Sequence, residues 1–88
     1  MITDGQIRLA INSKVRCLSI YTKKCYKLSE NDALRKVFSS RLYNYYLSDS
    51  NTMWYLEPIH TLCHYLDIEY KHGESALDKA IREDYSVC

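Results

Sequence analysis

Residues 51–70 read NTMWYLEPIHTLCHYLDIEY and carry the clearest helical pattern in the chain. Pro58 has a fixed φ and no N–H, which suits a first helical turn, where that N–H would lack a partner anyway. From there Ile59, Leu62, Cys63, Leu66 and Tyr70 recur at i, i+3, i+4, i+7 and i+11. At about 100° per residue they share one stripe. Gly73 follows as a terminator. Trp54, the only tryptophan, precedes the helix with Leu56, a place from which a large aromatic folds back over the core. A helix over 58–71 is the expectation. It leaves a remainder: His60, His64 and Asp67 share one flank beside Cys63, while Tyr65 and Ile68 lie towards the back.

Working upstream, Thr3 and Gln6 form a capping box, with Asp4 complementing the positive helix start. Ile7, Ile11, Val15, Leu18 and Cys25 then follow one face, with Ala10 and Tyr21 at its edge, so the first helix is expected over 4–26. Its opposite face carries Arg16, Lys23 and Lys27 but also Leu9 and Ile20. Ser29 with Asp32 caps a second helix. Ala33, Leu34, Val37, Phe38, Leu42 and Tyr45 form its stripe, which extends it over 30–46. Tyr43 and Tyr46 sit off that stripe. Residues 48–52, SDSNT, are a loop. Downstream, Ser75 and Asp78 open a short last helix over 75–85, built on Leu77, Ala80, Ile81 and Tyr85.

Composition agrees with an all-α chain. The 88 residues include only two Gly and one Pro, little turn punctuation for a β fold. That length fits a single domain, 1–88, with a modest core and no deep enclosed cavity. The expected fold is a compact bundle of about four helices. The opening MITDGQIRLAINSK lacks the apolar segment of a signal peptide, and no apolar run reaches the length of a membrane span. A cytoplasmic protein with no membrane partner is therefore expected. The four Cys fit reduced thiols: Cys17 and Cys25 would stand ~12 Å apart along one helix and cannot bridge. Cys63 and Cys88 are isolated, and no C-x-x-C pair occurs.

Charge is distributed unevenly. Residues 1–45 hold nine Lys/Arg and three Asp/Glu, whereas residues 46–88 hold three and eight. The near-neutral total conceals a dipole that either pairs the two halves inside the fold or leaves a basic side for an acidic partner.

Four kinds of chemistry can be asked of these residues. His60, Cys63 and His64, with Asp67 one turn on, are metal candidates because i, i+4 histidines can share an ion. A third, distant ligand could come only from Cys88, Cys25 or His72, and a solvated flank is the commoner use of that spacing, so no metal and no cofactor are expected. No nucleophile–base–orienter set can be named, so no enzyme is expected. Nucleic-acid binding has Lys23, Lys24, Lys27, Arg35, Lys36 and Arg41, interleaved with Tyr26, Tyr43, Tyr45 and Tyr46, as phosphate contacts and stacking surfaces. The near-neutral total and the absence of a helix-turn-helix pattern count against it. Protein binding absorbs the most remainders: Leu9, Ile20, Tyr43, Tyr46, Tyr65 and Ile68 have interface composition, as do nine Tyr in so short a chain.

Asp32-Ala33-Leu34, Ser39-Ser40-Arg41-Leu42-Tyr43, Leu47-Ser48-Asp49 and Met53-Trp54 together resemble small helical bacterial domains of unknown function. Those domains tend to be encoded near toxin–antitoxin or mobile-element genes. The likeness covers about a third of the chain and implies a prokaryotic or phage setting and a regulatory or inhibitory partner. An antitoxin-like protein and a phage inhibitor of a host defence nuclease fit it equally. The expected function is thus a non-enzymatic protein-binding module. The alternative is a nucleic-acid regulator using the basic face, and the dipole also admits a homo-oligomer.

Overall fold

The computed structural model describes residues 3–49 and 53–85, with Tyr85 placed by its backbone only. Residues 50–52 of the expected loop, Cys88 and the Tyr85 side chain lie outside the described residues. Four α-helices build the molecule: α1 (Asp4–Tyr26), α2 (Glu30–Ser39), α3 (Ile59–His72) and α4 (Glu74–Tyr85). Among the described residues, a π-helical segment (Leu42–Leu47) and a 3-10 turn (Trp54–Leu56) lie between α2 and α3. Among the described residues there is no strand. No described helix is long and apolar enough to cross a membrane. The principal extents are 39 × 31 × 18 Å, a slab about two helices thick.

The caps fall where the residues demand them. Thr3 Oγ1 accepts from the Gln6 N–H (3.2 Å), and Gln6 Oε1 accepts from the Thr3 N–H (2.9 Å). Lys27 ends α1 in the left-handed region (φ 53°), and Ser29 Oγ accepts from the Asp32 N–H to start α2. Pro58 stands one residue before α3, its carbonyl taking the Thr61 and Leu62 N–H groups. Gly73 alone joins α3 to α4, at φ +96°, where a Cβ would be strained although nothing crowds it. The last helix starts at Glu74 rather than at Ser75.

Helix two differs from expectation. It does not run through to residue 46; it stops at Ser40 (ψ 149°), and the chain restarts as the π-helical segment. Ser40 acts as an N-cap in mid-pattern: its Oγ accepts from the Tyr43 N–H (3.1 Å) and donates to the Val37 carbonyl (2.6 Å). The Glu69 carboxylate of α3 accepts from the Arg41 N–H (2.8 Å) and the Leu42 N–H (3.0 Å). Asn44 Nδ2 donates to the Phe38 carbonyl at the end of α2 and to the Ser40 carbonyl, which also accepts from the Asn44 N–H (3.0 Å). The break is fully bonded, which is why it persists.

The break re-aims the tyrosines after it, while Leu42 keeps its expected place in the core. Tyr43 and Tyr46 turn inward and pack against the core, whereas Tyr45, assigned to the stripe, is exposed. Phe38, also assigned to the stripe, is half exposed. The core itself joins Val15 and Leu18 of α1, Val37 of α2, Leu42 and Leu47, Trp54 and Tyr55, Leu62, Tyr65 and Leu66 of α3, and Leu77 and Ile81 of α4. Trp54 folds over it as expected, edge-on to Tyr46 (5.4 Å) and Tyr65 (5.6 Å); Tyr55 is buried with it and Leu56 is not. On α1 Thr22 is buried as fully as Leu18, and its hydroxyl donates to the Leu18 carbonyl (2.7 Å); Cys25 is exposed.

Candidate protein-binding groove

The two halves of the chain are joined by acidic side chains that reach mostly for neutral donors. Asp67 accepts from the hydroxyls of Tyr21 and Tyr26 on α1. Glu69 takes two backbone N–H groups, as above. Asp78 accepts from the Tyr46 hydroxyl (2.7 Å) and forms an ion pair with Arg41 Nε (2.8 Å), the one ion pair among the described residues. Arg41, followed by Tyr46, holds the Asp78 carboxyl below its ordinary value. The hydrogen bond to Asp67, with burial, pushes the Tyr21 hydroxyl well above its ordinary value, and burial followed by the Asp78 bond raises Tyr46. The internal use of these acids leaves most cations of α1 and α2 unneutralised.

Those cations flank an apolar groove. Leu9, Arg16, Ile20 and Lys23 recur at i, i+7, i+11 and i+14 and so share one stripe of α1. Opposite stand Leu34 and Phe38 of α2, one turn apart. Between them runs an open groove of about 810 Å³, with Val15 beneath and Asn12, Ser19 and Glu30 completing the wall. Leu9 is 70% exposed, Ile20 48% and Phe38 48%. Scattered single apolar residues on a surface are normal; three large ones on one groove are a patch. A second depression of about 550 Å³ lies on the other face of α1 near its start, past Ile7, Ile11 and Tyr43, and borders the first at Asn12. Phe38, on the first, and Tyr43, on the second, meet edge-on (5.1 Å).

The expected contact residues separate cleanly. Leu9 and Ile20 lie on the groove, whereas Tyr43 lines the separate depression that borders it. Tyr46 is held by Asp78 and Trp54. Tyr65 is a correction: it is 3% exposed, edge-on to Trp54, and its hydroxyl donates to Asp84. Ile68 is a second correction, since it packs against the core. The cause is common to both: α3 is covered by α4 as well as by α1, so the side read as its back is a second packing face. Phe38 is the groove residue that sequence reading placed in the core. The signal that could have found it is Ser39-Ser40, two cap-forming residues inside an apolar pattern.

The basic set also divides. Arg41 is paired with Asp78 and lies over the Tyr45 ring (4.0 Å). Lys36 Nζ sits 4.9 Å from the centre of the Tyr70 ring, which stacks on Tyr26 (4.0 Å). Lys23, Lys24, Lys27 and Arg35 are exposed. The metal candidates are not brought together: His60 and His64 face solvent, and Cys63 packs against the core, where burial pushes its thiol up, away from the thiolate a metal needs. Asp67 is engaged by the two tyrosines. Among the described residues no three His, Cys, Asp or Glu side chains converge as a metal site.

No family model, curated protein or solved structure matches this chain.

Proposed function

We propose that the protein is a non-enzymatic binding module whose α1–α2 groove receives a segment of another protein. The observation that carries this reading is the grouping of Leu9, Ile20 and Phe38, exposed together along one groove. About half to two-thirds of each side chain is still in water, so covering them contributes roughly 1–2 kcal/mol each towards a complex. The groove wall offers hydroxyls, an amide, one arginine and one glutamate, with no cysteine or histidine to serve as nucleophile or base. Binding without chemistry is what such a surface supports. A regulatory or inhibitory role in a bacterial or phage setting rests on the resemblance in residues 32–54 and is part of the proposal.

The nucleic-acid reading keeps Lys23, Lys24, Lys27 and Arg35, but Lys36 and Arg41 are each committed to a tyrosine ring within the fold. The discriminating experiment compares capture of partners from the native cell, after nuclease treatment, by the wild type, by Leu9→Asp and by Lys23→Glu/Lys27→Glu. A protein retained by the wild type and lost by Leu9→Asp supports the groove. Partners lost to nuclease, with Lys23→Glu/Lys27→Glu as the damaging change, would replace it with the basic face.

A further inference from the structure

Resting on that reading, we infer that the occupant of the groove is an amphipathic α-helix with acidic flanks, supplied by a different protein. Three observations lead there. The first is what the walls lack. Both are α-helices, whose backbone N–H and C=O groups are used internally along their length. An extended peptide lying between them would find no ladder to join, and its own backbone groups would be desolvated with little in return. A helix brings its backbone already bonded and presents only side chains. The second is length. The groove runs along α1 from Leu9 to Ile20, about 16 Å at the helical rise, which a guest helix spans in about three turns. A guest of that length places apolar residues at i, i+4, i+7 or i+8, and i+11 against Leu9, Phe38 and Ile20.

The third is charge, which also separates the guest from a second copy of this chain. Residues 4–39 hold eight Lys/Arg and three Asp/Glu. Two copies joined groove to groove would set Arg16 and Lys23 of one stripe against the same stripe of the other, like charge on like. Seating the acidic half of one copy on the groove of the next is a head-to-tail contact that leaves each end open for further addition. A guest with Asp and Glu beside its apolar stripe meets Arg16 on the wall and the exposed Lys23 and Lys27 at its end favourably, with Glu30 the one acidic residue of the described lining.

The test is a selection. A displayed library of 16-residue peptides is enriched for binding to the full chain, sequenced, and the winners are titrated against wild type, Leu9→Asp and Phe38→Asp. Both variants change exposed side chains, and their thermal melts are matched to the wild type first. The expected winners carry apolar residues at helical spacing with an excess of Asp/Glu, gain helical circular dichroism on binding, and bind each variant at least tenfold more weakly. Winners that alternate every second residue, or carry excess Lys/Arg, yet still depend on Leu9 and Phe38, would overturn the acidic-helix guest and leave the groove standing. No enrichment, or winners indifferent to both substitutions, would sink guest and groove together.

Discussion

Removing the Glu69 carboxylate tests the origin of the helix break. In the native fold it accepts from two backbone N–H groups, Arg41 at 2.8 Å and Leu42 at 3.0 Å, in a half-buried setting. Hydrogen bonds to a charged acceptor contribute about 1.5–3 kcal/mol each, and partial exposure places these at the low end. Glu69→Ala is therefore expected to cost about 3 kcal/mol. Glu69→Gln keeps one oxygen and turns an amide nitrogen towards the other N–H, so about half that loss is expected. In a chain of this size 1 kcal/mol moves the melting point by about 4–8 °C. Glu69→Ala should then melt at least ~12 °C below wild type, with Glu69→Gln between them. Urea titration followed by circular dichroism gives the free energies directly. Ser40→Ala, which removes the cap on the same segment, should cost about 1 kcal/mol and combine non-additively with Glu69→Ala, because both act on one restart of the chain. A loss below about 0.5 kcal/mol for Glu69→Ala, or Gln and Ala variants that melt together, would show that solvent satisfies those N–H groups and that the carboxylate does not hold the break.

The remaining predictions concern the core and the two ends of the pH scale. Tyr65→Ala should lose about 3–5 kcal/mol, most of the stability of so small a protein, as read by urea titration; an unchanged melt would return Tyr65 to the surface. Asp78 is held below its ordinary value of 3.8 in the folded state, so its contribution is present above that value and lost as pH falls through the depressed one; Asp78→Asn should flatten acid unfolding in that range. Tyr21 is raised above 10, so its contribution is complete below pH 10 and falls as pH rises beyond it. Absorbance titration should find its hydroxyl ionising only with alkaline unfolding, and Asp67→Asn should release it nearer pH 10.

Local signals placed the helices that carry their own punctuation. Thr3 with Gln6 started α1, and Pro58 and Gly73 bounded α3, because caps act on the few residues beside them. Helix two escaped that logic. Apolar residues from Ala33 to Tyr45 continue a helical pattern through Ser39-Ser40, and only a carboxylate 28 positions away, with the serine cap, makes stopping there favourable. Faces were harder than boundaries. Periodicity shows which residues lie together on α3, but covering by both α1 and α4 is a tertiary fact, and it draws Tyr65 and Ile68 inward while Tyr70 stays half exposed. For the groove, Leu9 and Ile20 stood out as apolar residues with no place in the stripe of α1. Phe38 did not, because it falls in the apolar pattern of α2, and which part of that pattern is covered is a tertiary fact.

That break has a consequence for the order in which the molecule matures. Left to local preference, residues 30–46 favour one uninterrupted helix, and Glu69 can interrupt it only after α3 has been made and docked. No residue of α3 lines the groove or the depression beside it, yet the Glu69 carboxylate holds the segment that carries Tyr43 to Phe38. A nascent chain that ends before residue 69 therefore carries every side chain of the groove but not the carboxylate that fixes its border. On the proposed function, a partner would meet Phe38 and Tyr43 in their final arrangement only on a finished molecule.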